Sequence, residues 1–182
     1  AEYLNQVRRV RPFPMNAVFA GKVEVMNSSL PKGAPLVTIG IPFVKDEYER
    51  VSHIAIADIR LDRLQKTFGT QQAAEIFLID QNGIVLAHPD DKLPAQAASL
   101  KENPIVDQTV NSKTRLNQMR SFINPIDGKS YYGISYRTPF NVSVIAQIPE
   151  EILLEPAKVV TRKAFYIGGL VLSGALFLIF LF

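Results

Sequence analysis

One order of elements occurs twice in this chain, and that repetition constrains the fold more than any single motif does. Val23 to Met26, Leu36 to Ile41 and His53 to Ile59 are apolar, rich in Val and Ile, and separated by the turn-forming stretches SSLPKGAP and VKDEYE. They read as three strands, and RLDRLQKTF after them reads as a short helix. Leu116 to Ile123, Ser130 to Tyr136 and Val142 to Ile148 repeat the pattern, separated by NPIDGK and TPF. PEEILLEPAKVV then follows as a helix with Pro149 at its opening, where a missing N–H costs nothing. The match reaches individual residues: IADIRLDRL (Ile56 to Leu64) sets against IAQIPEEIL (Ile145 to Leu153), and Pro42-Phe43 against Pro139-Phe140. Two halves built on one plan are the economical reading.

The halves are not equally complete. The second opens with a further hairpin, Ile76 to Asp80 and Ile84 to His88, and a helical stretch, NPIVDQTVNS. The first has only AEYLNQVRRVRPFPMNAVFA before its strands, so a module truncated at its N-terminus is expected. The fold class that follows is α+β, with antiparallel sheets of about five strands in tandem, each covered by a helix on one face. Such a sheet with one helical layer gives enough burial for a module of ~80 residues, though each is marginal alone.

A chain of 182 residues with 47% hydrophobic content can bury such a core, and one run goes beyond it. AFYIGGLVLSGALFLIFLF, residues 164–182, carries no charge and is close to the roughly 20 apolar residues that cross a bilayer. It reads as a C-terminal transmembrane helix with the lipid bilayer as its partner, and 150–163 as a juxtamembrane helix that Pro156 kinks or breaks. Lys158, Arg162 and Lys163 beside it would by charge alone lie on the cytoplasmic side. The chain has no cysteine, which removes disulfides, thiolate catalysis and cysteine-bound zinc. A net charge of +3 with scattered basic residues gives no stripe for nucleic acid.

The densest polar cluster is in FLIDQNGIVLAHPDD, Phe77 to Asp91. Asp80-Gln81-Asn82-Gly83 sits between two apolar runs, and Asn-Gly there predicts a hairpin with a type I′ turn. That hairpin separates Asp80 from His88, Asp90 and Asp91. A metal site would need these to converge with His53, the other histidine, whereas His88-Pro89 ending a strand and Asp90 or Asp91 capping the next turn needs no coincidence. No phosphate loop, G-x-S-x-G or H-E-x-x-H occurs, so no catalytic residue, metal or cofactor is assigned.

Taken together, PLVTIGIPF to SHIAIADIRLDRLQ, then FLIDQNGIVLAHPD, DGKSYYG and VIAQIPEE resemble a double Cache sensor, the PAS-like tandem extracytoplasmic module of bacterial transmembrane receptors. The resemblance covers nearly all of residues 21–182. With FGT, NPIVDQTV and TRK added, it is most similar to the sensors of class III adenylate/guanylate cyclase receptors. Chemoreceptors, histidine kinases and diguanylate cyclases carry similar sensors.

The resemblance implies several things. Residues 1–68 would be the C-terminal part of a membrane-distal module and 69–149 the membrane-proximal one, on the periplasmic side of a homodimeric receptor in the inner membrane. This chain would capture an unknown small molecule and would not itself be an enzyme. In amino-acid-binding relatives an aspartate in the position of Asp58 meets the ligand amine. The other residues of that motif lie before residue 21, where RPFPMNAVF differs, and Asp58 as a helix N-cap is an equal alternative. In the proximal module the candidates are His88, Arg120, Tyr131 and Tyr132. Strand alternation puts Tyr131 on the face opposite Tyr132 and Tyr136, so not all of them can line one pocket. A membrane-anchored structural or partner-binding domain without ligand is the competing reading.

Overall fold

The computed structural model describes residues 11–30, 35–70 and 73–181. It begins with a short helix, α1 (Met15–Phe19), and a three-stranded antiparallel sheet in the order β1 (Glu24–Asn27), β2 (Leu36–Lys45), β3 (Val51–Arg60). α2 (Asp62–Gly69) leads to a five-stranded sheet made of β4 (Glu75–Ile79), β5 (Val85–Ala87), β6 (Leu116–Ile123), β7 (Ser130–Arg137) and β8 (Ser143–Pro149). Between β5 and β6 lie α3 (Lys92–Gln96) and α4 (Pro104–Asn111), and α5 (Glu150–Leu181) follows β8 directly.

The second sheet runs β5-β4-β8-β7-β6, so its first strand and its last are neighbours at the centre, the PAS-like order. The first sheet, β1-β2-β3, has the topology of β6-β7-β8. The repeat read from sequence is thus a structural repeat. It differs from the expected pair of five-stranded sheets in that, among the described residues, the outer edge of β3 has no strand partner.

Each face of the five-stranded sheet has its own core. Alternation sends Phe77 and Ile79 of β4 and Ile145 of β8 to one face, where they meet Ile105 and Val106 of α4, Phe122 and Tyr131. Leu78, Leu86 and Ala87 point the other way and pack with Val25 and Val37 of the first sheet. Asn27 ties the two sheets: it is 2% exposed, and its Nδ2 donates to the carbonyls of Val85 at 2.5 Å and Pro94 at 2.8 Å. A buried amide that loses such partners costs about 1–3 kcal/mol, so the two sheets are held by polar as well as apolar contacts.

Two local expectations change. In the β4–β5 turn, Gly83 has φ +73° but Asn82 is not among the residues with positive φ. The Gly83 N–H bonds to the Asp80 carbonyl at 3.1 Å and the Asp80 N–H to that of Ile84 at 2.9 Å. This is a three-residue loop closed by a glycine bulge, not a type I′ turn. The Asp80 carboxylate selects it by accepting the N–H groups of Asn82 and Ile84 at 2.8 and 2.9 Å. Burial pushes the Asp80 carboxyl up, while those backbone bonds oppose the shift.

The larger correction concerns the C-terminal run. Residues 150–181 form one continuous helix through Pro156, and among the described residues no helix is long and apolar enough to cross a membrane. Glu150, Glu151, Glu155, Arg162 and Lys163 occupy its first half. The transmembrane helix, its separation from a juxtamembrane helix, and lipid contact through 164–182 are therefore not supported.

Gly83 provides a test of the loop. A Cβ there would lie 3.0 Å from Lys101 Cγ and 3.3 Å from Val106 Cγ1, on a backbone that L-residues adopt with strain. Gly83→Ala is expected to lower stability by about 1–2 kcal/mol, read as a reduced urea midpoint at unchanged m-value.

Candidate functional site

The centre of the five-stranded sheet carries a polar chain that its register assembles. Glu75 of β4 stands opposite Gln147 of β8, both on the face covered by α4. Gln147 is 2% exposed; its Nε2 donates to Glu75 Oε2 at 2.6 Å and its Oε1 accepts from Asn103 Nδ2 at 3.1 Å. Asn103 is the N-cap of α4, with Pro104 after it, and its Oδ1 accepts from the Ile105 N–H at 3.2 Å. The cap uses the amide oxygen and so turns the amide nitrogen toward Gln147.

His88 closes the other side of Glu75. Its ring lies 5.3 Å from that of Phe77, and its Nδ1 accepts from the Asp90 N–H at 2.9 Å. A ring nitrogen that accepts carries no proton, so Nε2 holds it and donates to Glu75 Oε1 at 3.2 Å. Hydrogen bonds from His88 first and then Gln147 hold the Glu75 carboxyl below the usual carboxylate range, against the opposing effect of burial. Nearby, Tyr131 donates its hydroxyl to Asp127 Oδ2 at 2.6 Å and stacks on Phe122. Burial first, and then Asp127, push its phenol up, so it stays protonated.

Beside Glu75 lies a cavity of about 260 Å³ bounded by Phe68, Glu75, Pro89, Tyr131, Pro149 and Ile152. Phe68 comes from α2 and Ile152 from the first turns of α5, so the cavity touches both halves of the chain and the base of the long helix. The arrangement offers a held carboxylate beside an apolar wall. It can accept hydrogen bonds from a small guest, but it holds no nucleophile with a base beside it.

Of the candidates from sequence, His88 and Tyr131 flank Glu75, Tyr131 at the cavity itself. Tyr132 is on the opposite face of β7, where alternation sends it. Arg120 is in β6, and its side chain lies outside the described residues. Asp58 is exposed on β3 in the other sheet, where its Oδ1 accepts from Thr38 Oγ1 at 2.6 Å. It is not an N-cap, since α2 begins at Asp62 after Leu61. Asp90 does serve the turn, accepting from the Lys92 N–H at 3.0 Å. Among the described residues, no group of three His, Asp or Glu side chains could hold a metal ion. Sequence reasoning missed Glu75, Gln147 and Asn103. The available signal was Gln147: two positions after inward Ile145, it had to face inward too and therefore to need a partner.

No protein-family model and no curated protein matches the chain. Solved structures do. With the extracellular domain of mmHK1S-Z2, assigned as a histidine kinase, it shares 18% identity at a TM-score of 0.57, over 77% of this chain and 55% of that one. With the corresponding domain of mmHK1S-Z3 the values are 15% and 0.54, over 84% and 55%. With that of rpHK1S-Z16 they are 11% and 0.53, over 74% and 56%.

The chain shares its fold with these extracellular domains. It spans little more than half of their length, 55% of the first. The match supports the tandem PAS-like fold that the resemblance implies. Nothing in it supports the narrower likeness to adenylate/guanylate cyclase receptors. The cyclase output that this narrower likeness would imply is corrected accordingly.

The lowered Glu75 pKa gives a pH test. Its stabilising effect is complete above the unfolded carboxyl value of about 4.3 and is lost as pH falls through the lower folded value. Asp80 is shifted the opposite way, so the comparison must be between wild type and Glu75→Gln. The stability advantage of wild type over Glu75→Gln, from urea unfolding, is expected to shrink as pH is lowered from about 6 to below 4.

Proposed function

We propose that this chain is an extracytoplasmic small-molecule-sensing module of a signalling receptor of the histidine-kinase type. The observation that carries the reading is the Glu75 carboxylate, held by His88 and Gln147 at the edge of a cavity that also reaches α5. A guest with a hydrogen-bond donor for Glu75 and an apolar part for Phe68 and Ile152 would complete it. The shared fold supports the architecture of this proposal, and the ligand argument rests on the cavity.

Within this reading, 1–68 is the C-terminal part of a distal module and 69–149 the proximal module that holds the ligand. Occupation of the cavity would alter the packing of Ile152 and so the setting of α5, the element that leaves the sheet. Homodimerisation belongs to the same proposal.

Thermal-shift screening of the chain against small metabolites is expected to find a ligand that raises the melting temperature by mass action. Glu75→Gln should weaken that ligand at least tenfold, whereas Tyr132→Phe, on the opposite face of the sheet, should leave it unchanged. A screen with no stabilising compound, or a ligand indifferent to Glu75→Gln, would sink the reading and favour a scaffold without ligand.

A further inference from the structure

His88 is 6% exposed and uses both ring nitrogens, Nε2 toward Glu75 at 3.2 Å and Nδ1 toward the Asp90 N–H at 2.9 Å. The first bond survives a second proton on the ring, and the second does not. Once protonated, Nδ1 is a donor and faces another donor, the Asp90 N–H. The ring cannot turn away to relieve this, because Nε2 would then leave Glu75 and the ring would leave its place beside Phe77. What can yield is the turn after Pro89.

The surroundings decide what the second proton does. From β4 comes Glu75, held below the usual carboxylate range and so ionised near neutrality, and its hydrogen bond to the ring becomes an ion pair that fixes the ring more firmly. From the loop between β6 and β7 comes Asp127, whose charge reaches Glu75 and which accepts the Tyr131 hydroxyl. β8 contributes Gln147, an uncharged amide, and the turn itself contributes Asp90 and Asp91. Among the described ion pairs, no Lys or Arg stands against Glu75 or these two aspartates.

The turn in question sets the position of α3. The Asp90 carbonyl accepts from the Leu93 N–H at 3.2 Å and its carboxylate from the Lys92 N–H at 3.0 Å. The segment then meets the first half of the chain at two points. The Pro94 carbonyl accepts from Asn27 Nδ2 at 2.8 Å, and the Asp91 carboxylate accepts from Gln65 Nε2 of α2. The bond from Asp90 to His88 therefore lies at the root of the segment that ties the two sheets together.

We propose that the turn from His88 to Asp91 is a pH-sensitive latch: a second proton on His88 Nδ1 removes the acceptor of the Asp90 N–H, shifts the start of α3 and loosens the bond from Asn27 to Pro94. The imidazole itself stays on Glu75. The latch is a property of the chain alone and does not depend on a guest in the Glu75 cavity.

The test follows the 182-residue chain by proton–nitrogen NMR from pH 8 to pH 5, the interval in which histidine changes charge while carboxyls with ordinary values near about 4 do not. In wild type the Asp90 amide proton should move upfield in step with the His88 Cε1–H, and the Asn27 side-chain amide, assigned through its own Cβ, should move over the same interval. In His88→Asn, whose amide oxygen can replace Nδ1 and does not titrate, the Asp90 amide should keep its pH 8 position throughout. In His88→Gln, which can still reach Glu75 but offers Asp90 no acceptor, it should stand at the low-pH position already at pH 8. His53→Gln, on exposed β3, should leave the wild-type response unchanged. An Asp90 amide that does not move in wild type, that still moves in His88→Asn, or that moves without the Asn27 amide would each overturn the proposal. Should His88→Asn fail to fold, an Asp90 amide that still moves with pH in His88→Gln overturns it, and should both fail, a wild-type Asp90 shift out of step with the His88 Cε1–H does so.

Discussion

The pairing of β4 with β8 is the contact on which the rest of the molecule depends. It joins residues some seventy positions apart, Glu75 with Gln147 through Ile79 with Ser143, and it closes the sheet at its centre. Bringing such distant segments together costs loop-closure entropy, which the fully buried Phe77, Ile79 and Ile145 along the seam offset at about 2–3 kcal/mol each. The register has a chemical result as well. A one-residue slip of β4 would exchange its two faces, sending Glu75 toward the first sheet and away from Gln147, and Leu78 toward α4.

Polar groups at this centre are tolerable because almost every one is satisfied. Asn103 caps a helix with its oxygen and holds Gln147 with its nitrogen, Gln147 passes a bond to Glu75, and His88 meets Glu75 from the other side. A chain of this kind fixes each amide orientation by the one before it, starting from the helix cap. Gln65 is the contrast: one end of its amide is committed to Asp91 and the other is orphaned, in the cleft where the two halves meet.

Much of the fold was legible because the strands alternate plainly and the repeat gives each half a second copy to be checked against. The turn between β4 and β5 was misread for a definable reason. Asn-Gly favours a two-residue loop, but the Asp80 side chain accepts two backbone N–H groups and stabilises a loop one residue longer. Hydropathy alone set the C-terminal run as a membrane span, whereas among the described residues no helix is long and apolar enough to cross one. His88 and Tyr131, named as pocket candidates of the proximal module, stand beside Glu75. Glu75 was not named, because a lone glutamate at the start of a strand has no motif. Only the pairing partner seventy residues on gives it meaning.

The junction between β8 and α5 has a mechanical consequence. Pro149 ends the strand and Glu150 begins the helix, with no residue between to act as a swivel. β8 is bonded to a strand on each side, so it cannot slide along its own axis without breaking two ladders at once. What remains is rotation of the sheet as a body, and α5 magnifies it as a lever arm. With 32 residues at ~1.5 Å each, the helix is about 48 Å long, and a tilt of roughly 5° at its root would carry its far end about 4 Å.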